Sequence, residues 1–437
     1  MKLSNRVRTL REKQKKYDQY PLSGILIVVA LLLAGPFVSR LLAFGAFAIC
    51  LYRIVKFDSR VFAADYCLLL PLSPLFQAPN GMSLMVYVCL LAAIWYFVRN
   101  GIRADISYVM LIVLMNYMVA RMQMNISRFV LCFGQLFMLC VILPKQDTES
   151  AERAAKLFCM SVILSSVYAL VFRSTPQLRA LRGNEAPAYW GSVLNRFYGI
   201  FEDPNYYMTL LIIGLAMLIK LRDCERITRL PFWTMTIGMI IFGILTYSKT
   251  FFVVLVLLVA VYIVWQFRNR RYLYGSIIIF AILALGSTLL FAKDSPFAVV
   301  MTRLTSANNI SDLTTGRTDL FAMYLEAITD DIWSFLFGAG MASKNLGRDP
   351  HNLYLEITYY TGAVGLVLFA CYYWGMVRVM KRRTAQMRKQ NLIARYVVVF
   401  MVLILYFTLH GMFAVVSYGG FFMAFLSMLL VKKKEAK

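Results

Sequence analysis

The chain is a succession of long apolar runs separated by short clusters of charge, Pro, Asn and Gly. A helix that crosses a membrane needs about 20 mostly apolar residues. Breaking the pattern at the polar clusters predicts fourteen such segments, at roughly 22–36, 39–55, 61–77, 82–98, 104–120, 127–143, 157–173, 205–220, 231–247, 250–267, 272–291, 352–376, 392–410 and 412–431. The first two are separated only by Gly35-Pro36 and Arg40, so 22–55 is either a helical hairpin or one bent element. The expected fold is an all-α polytopic membrane protein with twelve to fourteen transmembrane helices. Its bundle fills 21–431, between a basic N-terminal tail (1–20) and a basic C-terminal tail (432–437). Neither a repeat of 20–50 residues nor an evident symmetry between halves is visible.

Composition narrows the class. Of 437 residues, 60% are apolar and 16% are charged, and the mean hydropathy is +0.66. A soluble domain carries about 25% charged residues, and a disordered chain is poor in apolar ones. Both are excluded. The eight Cys show no Cys-x-x-Cys spacing and fall mostly inside apolar runs, where Cys serves as a small buried residue. No metal site is read from them.

The net charge of +24 resembles a nucleic-acid signal until it is placed on the membrane. With the N-terminus in the cytoplasm, 33 of the 46 Lys and Arg fall in the tails and loops on the inner side. That bias is the positive-inside pattern. It predicts cytoplasmic termini and contact with anionic lipid heads, and it removes the need for a nucleic-acid partner. The inner loops are short and contain no Gly-rich phosphate loop, so chemistry is expected on the outer face. Two outer loops are long, at 173–205 and 293–352. Loops of that length usually serve a function. A transporter would place ionisable groups near the middle of the membrane. Asp65 instead lies near an inner end, and Glu356 and His410 lie near outer ends.

The second loop has internal order. From Thr318 to Phe337, Phe321, Tyr324, Leu325, Ile328, Ile332 and Phe335 form one helical face, with Asp319, Glu326, Asp330 and Asp331 mostly away from it. This predicts one amphipathic helix, either lying at the membrane interface or packed on the bundle as a lid. Gly316-Arg317 stands at its start, where backbone donors and a guanidinium suit an anion, although a lone loop Arg is ordinarily just solvated. Gly338 and Gly340 read as helix termination and tight turns. His351 falls where the loop re-enters the membrane. Its chemistry fits either a general base or a surface His at a helix start. Glu356 follows at i+5, off His351's face. In the first loop, Asn195-Arg196 leads to Asp203-Pro204-Asn205. Lys249 sits in a minimal turn, Tyr247-Ser248-Lys249-Thr250, as a snorkelling cation or as one more positive group for an anionic headgroup. Arg121, Arg128, Arg196, Lys249 and Arg317 are the outer cations that the pattern allows to converge.

The run Gly316-Arg317, Phe337-Gly338-Ala339-Gly340, His351-Asn352-Leu353-Tyr354-Leu355-Glu356 and Gly362-Ala363-Val364-Gly365-Leu366 resembles the signature region of the O-antigen ligase and polysaccharide polymerase superfamily. His351 and Gly362 reproduce that family's spacing of a His, ten residues and a Gly. The stretch from Arg196 to Asn205 is similar to the family's segment ending in Pro-Asn, and Ser248-Lys249 to its Ser-Arg turn. The resemblance covers about 190–380 and implies a metal-independent and cofactor-free glycosyltransferase of GT-C-like architecture in a bacterial plasma membrane. Its donor would be an oligosaccharide on undecaprenyl diphosphate. His351 would activate the acceptor glycan's hydroxyl. Arg317 is the clearest match to the arginines that hold the diphosphate, with Arg196, Lys249 and Arg121 as further cations. Asn352, Glu356, Gly338, Gly340 and Asn205 would support them. The product would be a surface polysaccharide, made by a polymerase or, alternatively, transferred whole by a ligase. Membrane lipids, a chain-length regulator and a flippase are the partners such a role implies. Lys249 stands where the family usually has Arg, which removes bidentate phosphate contact. Phe321 stands where ligases often have Leu.

Overall fold

The structure is a computed structural model that describes residues 21–79, 83–101, 106–122, 147–181, 196–201, 203–268, 317–340, 346 and 350–383. The expected spans at 127–143, 272–291, 392–410 and 412–431, both tails, Arg128 and Gly316 lie outside the described residues. Thirteen α-helices and one short 3-10 helix make up the described residues, with no β-strand among them. The fold is that of an all-α polytopic membrane protein. Among the described residues, Thr148–Phe172, Pro204–Asp223 and Leu353–Tyr372 are long and apolar enough to cross a membrane, and shorter apolar helices accompany them.

The ambiguous first segment is a hairpin of two helices, α1 (Leu22–Ala34) and α2 (Leu42–Lys56), because Gly35-Pro36 ends the first. Next comes α3 (Ser59–Leu69). It tightens into a 3-10 turn (Leu70–Leu75), where Pro71 and Pro74 deny the backbone two donors. Further along are α4 (Leu84–Asn100), α5 (Ile106–Met122), α6 (Thr148–Phe172), α7 (Pro176–Leu181), α8 (Pro204–Asp223), α9 (Arg229–Leu245) and α10 (Lys249–Arg268). Helix α6 begins nine residues before the predicted boundary of 157. Asp147 caps it by accepting from the Ser150 amide at 2.8 Å, and Glu152 pairs with Lys156 one turn on at 2.6 Å. Polar residues that read as a loop are the first turns of a helix.

Helix α8 is buried almost all round, packed by α6, α9 and α10. The outer helices instead expose large apolar side chains, among them Ile94 and Val98 on α4, Val167 and Val171 on α6, and Ile237 and Ile241 on α9. A water-soluble protein rarely exposes so much contiguous apolar surface. In a bilayer these faces meet lipid.

The predicted amphipathic helix is two helices. Helix α11 (Arg317–Thr329) stops at Asp330, and α12 (Ile332–Phe337) starts after Asp331, whose carboxylate accepts from the Trp333 amide at 2.7 Å and the Ser334 amide at 3.0 Å. Those bonds hold the Asp331 carboxyl below the usual carboxylate range, the Ser334 hydroxyl contributing most. The break divides the two alternatives between the helices. Tyr324 and Ile328 of α11 are buried against Tyr359 of the last helix, α13 (Leu353–Arg383). Ile332, Trp333, Phe335 and Phe337 of α12 are exposed, Trp333 by 68%. So α11 packs against the bundle through these residues, whereas α12 leaves its apolar side chains exposed.

One buried ion pair fastens the hairpin. Arg53 Nε and Nη2 lie 2.7 and 2.9 Å from the two oxygens of Asp65, and Nη1 donates to the Pro21 carbonyl at 2.8 Å. The two side chains are 3% and 4% exposed. Removing one partner strands a buried charge, at about 3–5 kcal/mol, whereas replacing both is nearly neutral. Arg53→Met is therefore expected to lower the melting temperature in detergent sharply. Arg53→Met with Asp65→Leu is expected to recover most of the loss.

Candidate active site at one end of the bundle

Three helix ends meet where the Pro-Asn segment and the Ser-Lys turn converge. The stretch 196–201 lies against the C-terminus of α9: Arg196 Nε donates to the Thr246 carbonyl at 2.9 Å, and the Phe197 amide to the Leu245 carbonyl at 2.9 Å. Asp203 caps α8 by accepting from the Asn205 amide at 2.6 Å. Asn205 Oδ1 then accepts from the Ser248 hydroxyl at 3.2 Å. That hydroxyl also accepts from the Phe251 amide at 3.4 Å, in the first turn of α10, the helix that Lys249 opens. Two motifs that are weak separately are thus one hydrogen-bonded unit. Ring packing supports it: Phe197 and Phe201 stand 5.5 and 6.3 Å from Tyr207, which is fully buried.

Arg317 opens α11 and is half-buried. Burial pushes its guanidinium down, and the Asp203 carboxylate pushes it back up. The carboxylate that acts on it is the one that caps α8. An arginine stays charged under any such shift, so a cation is held here in a partly dry place. That raises the strength of its interaction with an anion.

The third component is the entry to α13. Asn352, 4% exposed, caps this helix by accepting from the Tyr354 and Leu355 amides at 3.0 and 3.3 Å. Glu356, 5% exposed, lies one turn in, and its amide donates to the Asn352 carbonyl at 3.0 Å. His351 directly precedes the cap with φ 49, a left-handed conformation that His tolerates better than most residues. Its Nδ1 is shielded from solvent.

Gly338 and Gly340 have a tertiary task beyond turning the chain. Helix α13 is broken at Gly362, with φ 68 and ψ −174. The break leaves the Tyr359 and Tyr360 carbonyls without helical donors, and they accept from the Ala339 and Gly340 amides at 2.8 and 3.2 Å. The two backbones approach so closely that a Cβ on Gly338 would overlap Tyr360–Gly362, and one on Gly362 would overlap Leu336 and Gly338. The spacing from His351 to Gly362 is therefore the length of the short helical piece between the site and the break.

Arg121, at the end of α5, joins this junction. Its Nε donates to the Phe337 carbonyl at 2.8 Å and its Nη2 to the Gly338 carbonyl. One turn earlier, the Tyr117 hydroxyl donates to the Thr361 carbonyl at 2.9 Å. Tyr117 and Asp203 carry parts of this arrangement that the sequence did not single out for it. Tyr117 is one aromatic residue in an apolar run, with no local signal. Asp203 had a signal, since an acid before Pro-Asn is a cap. Among the described residues, no group of three or more His, Cys, Asp or Glu is placed to hold a metal ion.

The opposite end of the bundle is different in character. There Arg60 pairs with Asp147 at 2.7 Å, Arg226 with Glu152 at 3.2 Å, and Arg99 donates to the Phe57 carbonyl at 3.3 Å.

The chain is thus a helical membrane protein with one polar junction where α8, α9 and α10 meet and another where α5, α12 and the break in α13 meet. Residues 234–370 match the family described as O-antigen ligase, from within α9 to just beyond the Gly362 break. That match supports the O-antigen ligase and polysaccharide polymerase superfamily for this chain. The description is that of a glycan-ligating family, and the match covers about a third of the chain. No curated protein and no solved structure matches the chain significantly. The matched region holds Lys249, Arg317, Gly338, Gly340, His351, Asn352 and Glu356, whereas Arg121, Arg196 and Asn205 precede it.

Proposed function

We propose that the protein polymerises a bacterial surface polysaccharide, transferring glycan from a polyprenyl diphosphate (undecaprenyl diphosphate in bacteria) to an acceptor sugar hydroxyl at the outer membrane face. The observation that carries this reading is the joining of Arg196, the Asn205–Ser248 unit and the Asp203 cap, whose carboxylate acts on Arg317, at one end of the bundle, away from the basic end. The positive-inside pattern assigns the basic end to the cytoplasm. The site end then faces outward, on the side where the long second loop carries Arg317 and His351.

The chemistry balances without ATP. The acceptor oxygen attacks the anomeric carbon as its proton passes to His351, and the bond to the diphosphate oxygen breaks. The diphosphate leaves with the electron pair, its charge offset by Arg317 and neighbouring cations. A fixed cation in a partly dry site stabilises charge developing on a leaving group.

Deleting the gene is expected to remove long surface glycans from a gel while single repeats persist. Complete polymer stranded on its carrier lipid would favour a ligase, the second reading, which the description of the matched family supports. Arg317→Lys keeps the charge but loses the planar fork, and transfer is expected to fall about 10²-fold. Full activity of that variant would overturn bidentate diphosphate binding.

A further inference from the structure

We infer that Arg121 and Tyr117 of α5 form a positioning clamp that sets the helical piece carrying His351, and that Arg121 is not a donor-diphosphate ligand. The inference rests on the proposed transfer reaction and refines it, since an outer cation would otherwise be assigned to the diphosphate.

The geometry of the guanidinium is the first ground. A fork that reads a diphosphate presents its paired N–H groups to phosphate oxygens. In Arg121, Nε and Nη2 are both turned onto main-chain carbonyls, those of Phe337 and Gly338. A guanidinium has five N–H donors in a fixed plane. Committing two of them on one edge to adjacent carbonyls fixes the orientation of the whole group.

What the clamp holds is the second ground. Phe337 and Gly338 end α12, where the Gly338 amide donates to the Ser334 carbonyl at 2.9 Å. The next two amides, of Ala339 and Gly340, bind the carbonyls freed by the break in α13. Next to them on the same side of that break, the Tyr117 hydroxyl takes the Thr361 carbonyl. Arg121 and Tyr117 lie four residues apart on α5, so they share one face. One helix face thus fastens both partners of the junction. Even the main chain of α5 takes part: a Cβ on Gly340 would lie 2.9 Å from the Arg121 carbonyl oxygen.

The third ground is mechanical. The helical piece from Leu353 to Thr361 is capped at one end by Asn352, next to His351, and ends at the clamped break. A rigid piece fixed at its far end fixes His351. A misplacement of about 1 Å at a catalytic group is enough to cost about 10²-fold in rate. Lysine has one ammonium in place of the planar fork, so it cannot hold the Phe337 and Gly338 carbonyls in the fixed geometry the guanidinium gives them.

The test is steady-state kinetics of the full-length protein in proteoliposomes, with a lipid-diphosphate-linked repeat unit as donor. Arg121→Lys and Arg121→Gln are expected to lower kcat at least tenfold with the donor KM changed less than twofold. Tyr117→Phe, which removes one hydroxyl from a ring that still packs, is expected to lower kcat several-fold, again at constant donor KM. A tenfold rise in donor KM at unchanged kcat in the Arg121 variants would overturn the inference and restore the ligand role. Should the Arg121 variants fail to accumulate, Tyr117→Phe decides, and an unchanged kcat there overturns the clamp. Arg317→Lys in the same assay keeps the two questions apart. Full activity of that variant with an unchanged donor KM counts against the diphosphate reading of the site, whatever the Arg121 result.

Discussion

Replacing His351 by Ala is expected to leave the protein folded and inserted and to stop glycan extension. His351 is neither the cap of α13, which is Asn352, nor one of the buried apolar core residues. General-base help is worth about 10²–10⁴-fold, which is enough to abolish long polymer in a cell. The left-handed backbone at this position, φ 49, adds a complication that a second variant resolves. Asn tolerates this conformation well but has no basic nitrogen. His351→Asn is therefore expected to lose as much activity as His351→Ala with less effect on stability. Surface glycan on gels, with protein level by immunoblot, checks both. Normal polymer from either variant would sink the base assignment.

Gly362→Ala is expected to be the most damaging small substitution in the described residues. Its φ of 68 and ψ of −174 lie in a region that is essentially restricted to glycine. Forcing a side chain there costs about 1–3 kcal/mol. The new Cβ also overlaps the Leu336 carbonyl group and the Gly338 amide, and overpacking adds about 1–3 kcal/mol. The two effects separate by comparison with Gly101→Ala. Gly101 has φ 66 but nothing within 4 Å of a built Cβ, so that variant carries strain alone. Gly362→Ala is expected to lower the melting temperature further than Gly101→Ala and to lose transfer, while Gly101→Ala keeps it. Equal losses would mean that the close approach at the helix break is unimportant.

Much of the fold was legible because hydropathy is a one-dimensional property. A span must be apolar along its whole length, so α8, α9 and α10 fall close to their expected positions, and Gly-Pro or paired Pro mark where α1 and α3 end. Local polar chemistry was harder to read. Asp331 was counted as the polar side of one long helix, whereas its carboxylate binds two amides and begins a second helix. Periodicity over 20 residues sums the apolar positions and does not register a single strong cap. The early start of α6 was hidden in the same way, since Glu149, Glu152 and Lys156 read as a loop by composition and as a helix by spacing.

The site was legible in its parts. His351, Arg317, Gly338 and Gly340 stood out by residue type and position, Gly362 by the resemblance, and the Pro-Asn and Ser-Lys pieces were visible as fragments. That Asn205 and Ser248 bond each other depends on how α8 and α10 pack. Tyr117 carried no signal, because one hydroxyl in an apolar run gains meaning only from the carbonyl it meets.

The sequence by itself determined that this chain is a helical membrane protein and where its basic residues fall between the apolar runs. These follow from transfer of side chains between water and lipid, a property each segment has independently of the others. Tertiary structure alone decided what those residues touch. It turned one cation, Arg121, onto main-chain carbonyls, and it buried Arg317 by half. It also made the glycines of two distant segments a single backbone contact. Hydrogen bonds and close approach have a range of a few ångströms, and only packing brings residues 121, 338 and 362 within it.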